Sequence, residues 1–159
     1  MTNMRDELCH FIRLNELEHW VPAPDALQQL EERFGNPVPG LIECLGDGHP
    51  DVRHLAVELL GETRAKSAIP ALIERLTDED WLVQVAVIFH IRDFGPLAAE
   101  AIPYLEPWLG ALHEYMRVLA ATAVLALDPD RTELLPMIWD ARSSDNPCVK
   151  DIAREFWGE

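Results

Sequence analysis

Basic side chains are few. The 159-residue chain holds 13 Lys and Arg against 28 Asp and Glu, for a formal net charge of −15. Nucleic-acid backbones are held by clustered Lys and Arg, so neither DNA nor RNA is an expected partner. No run approaches the roughly 18 apolar residues of a membrane-crossing helix, so no membrane partner is expected. Met1 to Glu7 is polar and acidic, without the apolar core of a secretory leader. Cysteine is sparse as well. Cys9, Cys44 and Cys148 are an odd, scattered three, which fits reduced thiols in a cytoplasmic protein better than a disulfide frame.

Catalytic constellations are also missing. No Ser, Cys or Lys nucleophile has a readable base and orienting group, so no catalytic residue and no cofactor is expected. His49 and His54, with Asp47 and Asp51, spell D-x-H-x-D-x-x-H. Histidines five apart do not share a helix face, and His49 precedes Pro50 in a turn, so no metal site is expected there. The triplet Asp78-Glu79-Asp80 stands at a predicted helix start, where negative charge complements the helix dipole. The composition, 48% apolar and 26% charged, is that of a globular chain of one domain.

What the chain does have is a period. Prolines near helix starts recur at Pro39, Pro70, Pro103 and Pro136, separated by 31, 33 and 33 residues. Alanines inside the following helices recur at Ala56, Ala86, Ala120 and Ala153, separated by 30, 34 and 33. The proline-to-alanine offset is 17, 16, 17 and 17. Proline is tolerated in a first helical turn, where its missing N–H has no intrahelical partner to lose. A small residue at a fixed phase suits close helix approach. Around each alanine lie apolar residues at helical spacing: Val52, Leu55 and Leu59; Leu82, Val85 and Phe89; Met116, Leu119 and Ala123; Val149, Ile152 and Phe156. One helix pair cannot bury such a face alone, so neighbours must stack.

The unit resembles a HEAT repeat, specifically the short form of phycobilisome-lyase-type HEAT-like proteins. Asp51-Val52-Arg53, Ala56, Leu60-Gly61 and Ala68-Ile69-Pro70-Ala71-Leu72 carry the likeness. Later copies drift: Arg53 is matched by Val83, Arg117 and Lys150, and Gly61 by Ile91, Leu125 and Gly158. The resemblance spans residues 37–159 and implies an all-α fold, a right-handed α-solenoid of about four helix pairs. Residues 1–36 read as an N-terminal helical cap or degenerate repeat, with helices over residues 4–19 and 25–34. Within it, Leu27 to Pro39 also resembles the opening motif of SUKH-type immunity proteins. The pairs are expected at about 41–45 with 51–60, 67–77 with 80–92, 97–110 with 113–127, and 131–142 with 147–157. Pro107 is expected to kink the third.

HEAT-like folds host many binding roles, and the resemblance implies a protein-binding module that works without catalysis. The acidic balance points to a partner protein with a basic patch. The module is then an adaptor or regulatory scaffold, or an immunity-type inhibitor. The alternative class is enzymatic, a bilin lyase-like activity or a chaperone for a tetrapyrrole. Comparing the second helices position by position, the middle repeats carry Trp81, Gln84, Val87, Ile88, Ile91, Tyr115, Val118 and Thr122 where the terminal repeats are polar. These residues are the expected partner surface, an apolar groove with an acidic rim, unless curvature of the repeat array buries them. Ala86, at the close-packed phase, sets a test of the repeat: Ala86→Leu is expected to cost ~1–3 kcal/mol by overpacking, read as a lowered melting temperature with wild type run in parallel.

Overall fold

A computed structural model describes residues 6–10 and 25–159 of the chain. Among these residues the regular structure is helical, and no strand occurs. Residues 6–10 are helical. Then follow α1 (Ala26–Phe34), α2 (Val38–Cys44), α3 (Pro50–Thr63), α4 (Ile69–Glu74), α5 (Trp81–Phe94), α6 (Ile102–Leu105), α7 (Glu114–Leu127), α8 (Leu135–Ala141) and α9 (Pro147–Trp157). The expected helix over 4–19 lies outside the described residues except for 6–10.

The periodic prolines all do the same thing. Pro39, Pro70, Pro103 and Pro136 are the second residues of α2, α4, α6 and α8. There the ring presets φ and removes only an N–H that the helix leaves unpaired. Each short, proline-led helix is followed by a longer one: α3, α5, α7 or α9. Single 3-10 turns flank α4, over Lys66–Ala68 and Arg75–Thr77. The third first helix is broken further than Pro107 alone predicts. It consists of a 3-10 segment Gly95–Ala101, the four residues of α6, and a second 3-10 segment Glu106–Gly110. Gly95 has φ +58°, which a glycine adopts without steric cost, and Pro96, Pro103 and Pro107 each remove a donor. By length and composition the stretch Trp81–Gly110 could cross a membrane, since it holds an 18-residue window of mean hydropathy 1.3. These breaks interrupt it, and Val83, Ala86, Val87, Ile88 and Ile91 are buried in the protein's own core.

The chain divides into two compact units, one through His90 and the other Ile91–Glu159. In the first, α2 packs against α3, and α1 also lies on α3. Leu30, Leu41, Leu59, Leu60 and Leu72 are fully enclosed there. In the second, α7 is the central element. It packs against α8, α9 and both 3-10 segments of the third repeat, and Met116 through Leu125, apart from Arg117, are buried. The alanines Ala56, Ala86, Ala120 and Ala153 are all buried.

The cysteine expectation is corrected for two of the three. Cys9 and Cys44 form a disulfide with Cα atoms 6.1 Å apart, while Cys148 is a free, exposed thiol. The reason is tertiary. The helical turn at residues 6–10 buries Leu8 and Cys9, and Cys44 closes α2 at zero exposure. Two cysteines 35 residues apart thus share one core. Cross-linking a loop of this size removes denatured-state entropy. Cys44→Ser is therefore expected to cost ~2–5 kcal/mol in denaturant unfolding under oxidising buffer, and little once the wild type is reduced. Equal midpoints for variant and oxidised wild type would contradict the cross-link.

Candidate functional site

The turns between paired helices build one polar edge of the first unit. Asp47-Gly48-His49 leads from α2 into α3, and Asp78-Glu79-Asp80 leads from the 3-10 turn after α4 into α5. Asp80 accepts from the amides of Leu82 (2.9 Å) and Val83 (3.4 Å), so its carboxylate caps α5. Asp47 accepts from the amide of His49 at 2.9 Å, the local turn that ends at Pro50.

Arg53, on α3, ties the two turns together. Its Nε donates to Asp78 Oδ2 at 2.9 Å and its Nη2 to Oδ1 at 2.7 Å, a two-pronged pair. Nη1 donates to the Asp47 carbonyl at 3.0 Å, and Nη2 also reaches Glu79 Oε1 at 3.3 Å. Both partners are deeply buried, with side-chain exposures of 5% for Arg53 and 2% for Asp78. Burial pushes the Asp78 carboxyl upward, but the Arg53 hydrogen bond, the Asp80 amide and the charges of Arg53 and Arg75 outweigh it and hold the group below the usual carboxylate range. The Asp78 hydrogen bond raises Arg53 further above its ordinary value.

A cavity of about 330 Å³ opens at this edge, walled by Asp47, Glu74, Asp78 and Glu79 against Arg53 and Arg75. Four carboxylates therefore face two guanidinia. The guanidinia are already engaged, Arg75 by the Leu45 carbonyl at 3.3 Å and by Asp78 at 3.7 Å. Glu79 is 85% exposed. Trp81, next to Asp80, is 58% exposed at the start of α5. The cavity lining thus carries two more carboxylates than guanidinia.

The eight residues expected as a partner groove differ in exposure. Trp81 alone among them is well exposed. Val87, Ile88, Ile91 and Thr122 have zero exposure and Val118 has 2%, so they belong to the core and not to a free surface. Thr122 donates its hydroxyl to the Leu119 carbonyl at 2.8 Å, a local satisfaction inside α7. Tyr115 is half-buried, and burial raises its phenol above the ordinary value. Gln84 is half-buried and donates to the Asp78 carbonyl at 2.6 Å.

That last bond exposes a one-residue slip. Arg53 donates to the carbonyl of Asp47, Gln84 to that of Asp78 and Arg117 to that of Ala111, each reaching back six residues. The counterpart of Arg53 in the second repeat is thus Gln84, not Val83. The alanine offset of 16 in place of 17 is the sequence trace of this slip. With the register restored, Val87 and Ile88 fall on the inward phase of Ala56 and Val57, which is why they are buried. Two further residues escaped the sequence reading. Glu58 meets His90 Nε2 at 3.1 Å and His54 Nε2 at 3.8 Å, and the His90 ring lies over Gly61, where a Cβ would come within 2.0 Å of Nδ1. Burial lowers His54 below the ordinary histidine value. Among the described residues no group of three His, Cys, Asp or Glu side chains is disposed to hold a metal ion.

The repeated proline-led pairs and the Arg-to-turn bond recur along the chain, and residues 38–128 match HEAT repeats. The chain belongs to the HEAT-repeat family. Proteins of this family are commonly protein-interaction scaffolds and generally not enzymes. No significant match is found among curated proteins. In this HEAT-repeat protein, Arg53 links the second helix of one repeat to the turn of the next.

Two outcomes follow for the pair and its neighbours. Asp78→Asn strands a buried guanidinium and is expected to cost ~3–5 kcal/mol in denaturant unfolding, whereas Arg53→Met with Asp78→Leu is expected to be much milder. In an acid titration of stability, Asp78 contributes fully above its unfolded pKa near 3.8, and that contribution fades as pH falls through its lower folded value. His54, also depressed in the fold, contributes above its ordinary 6.5 and loses that contribution as pH falls through the folded value. His54→Gln is expected to flatten the loss that begins just below pH 6.5 and to leave the more acidic one.

Proposed function

We propose that the chain is a non-enzymatic, cytoplasmic protein-binding module that engages a basic segment of a partner protein through the turn edge of its first unit. The observation that carries this reading is the cavity at Gly46–Gly48 and Glu74–Glu79, whose lining holds four carboxylates against two internally engaged guanidinia, with Trp81 exposed two residues after Glu79. A Lys or Arg side chain is the complementary occupant, since a net charge of −15 steers basic surfaces toward the chain. Trp is a side chain that often dominates binding energy. The module serves as an adaptor or regulatory scaffold, or caps a basic effector as an inhibitor; both roles use the same edge. Within the family, the spacing of Asp51-Val52-Arg53, Ala56 and Leu60-Gly61 supports the short, phycobilisome-lyase-type form of the repeat, which concerns the architecture of the unit and not its chemistry. In the cytoplasm the Cys9–Cys44 bond is subject to reduction.

The test is quantitative capture of a partner recovered from native lysate. Trp81→Ala and Glu74→Lys are each expected to weaken it by ~2 kcal/mol, about thirtyfold, with helical signal and melting unchanged. Binding by wild type is expected to fall steeply with added salt. Capture that is indifferent to salt and to both substitutions would overturn this reading.

A further inference from the structure

The second unit carries a separate exposed aromatic face. Trp139 on α8 is 56% exposed and Trp157 on α9 is 37% exposed. Their rings meet edge to face at 5.6 Å, and Phe156 meets Trp157 in the same manner at 5.3 Å. The Arg142 guanidinium lies over the Trp139 ring, 4.2 Å from its centroid, and pairs with the Glu159 carboxylate. Among the described residues, Arg142 Nε is a buried side-chain donor that finds no acceptor. Beside this cluster is a cavity of about 490 Å³ lined by Trp139, Asp140, Arg142, Ser143, Arg154 and Glu159.

We infer that this face binds a second copy of the same chain. The argument rests on charge. The molecule carries −15, so two copies repel when most of their surfaces approach. Here the lining holds two guanidinia and two carboxylates, and the local charge cancels. A patch with both signs is also self-complementary. In a two-fold interface each contact is made twice, so an Arg154–Asp140 pairing between copies, both residues lying in this lining, would form at two places. Trp and Arg are the side chains most enriched among energetically dominant interface positions. A strongly acidic or basic occupant finds no net charge of opposite sign here. This inference concerns a different unit from the proposed basic-partner edge and does not rest on that reading.

Sedimentation velocity of the full chain over a wide concentration series tests it. Wild type is expected to show a reversible monomer–dimer equilibrium. Trp139→Ala is expected to raise the dissociation constant at least tenfold, and Arg154→Glu, which replaces the attraction to Asp140 by repulsion, is expected to do the same. Circular dichroism is run on each variant. If Trp139→Ala loses helix, Arg154→Glu decides, because it changes an exposed position of α9. A wild type that remains monomeric throughout would overturn the inference. So would a dimer that folded Trp139→Ala and Arg154→Glu leave unchanged.

Discussion

The bond between Arg53 and Asp78 is the constraint on which the described edge of the first unit depends. Two charges with side-chain exposures of 5% and 2% are tolerable only because the guanidinium fork meets both carboxylate oxygens and its remaining donors find the Asp47 carbonyl and Glu79. The pair fixes α3 of one repeat against the turn that opens α5 of the next. It also sets the position of Asp80, which caps α5, and so the place where Trp81 emerges. A hydrophobic replacement of the same volume would pack the repeats as well. What the ionic pair adds is register, because a guanidinium six residues from its own turn and one repeat from its partner accepts a single alignment.

The same bond governs the electrostatics of the candidate site. It engages Arg53, which also reaches Glu79 at 3.3 Å, while Arg75 is held by Leu45 and Asp78. The second unit solves its polar turns differently: Arg117 donates to the Ala111 and Leu112 carbonyls at 2.6 and 2.9 Å without a buried acid. The cavity lining at α8 and α9 holds two guanidinia and two carboxylate side chains, unlike the edge of the first unit.

Much of the fold was legible because it is local. Prolines at a spacing near 33 residues mark first helical turns, and Pro39, Pro70, Pro103 and Pro136 occupy the same helical position. The buried alanines follow from the same periodicity. Of the residues expected at the surface, Trp81 is well exposed. Val87, Ile88, Ile91, Val118 and Thr122 were assigned to a surface because they differ from polar residues at the same phase in the terminal repeats, yet a phase says which way a side chain points and not whether something lies there. In the second repeat the phase itself was shifted by one residue, and a single residue on a helix turns a side chain by ~100°.

The sequence by itself determined the helix pairs, their repeat and the excess of negative charge, since these depend on residues within one or two turns of each other and on composition. Only the tertiary structure decided that Cys9 meets Cys44, that Gln84 and not Val83 stands for Arg53, that His90 rests on Gly61, and that Asp78 is a buried partner and not merely a cap. Each of these is a contact between residues far apart in the chain, or a choice of register between two helices. Such contacts are set by which surfaces exclude water together, a property that no single helix possesses before it is packed.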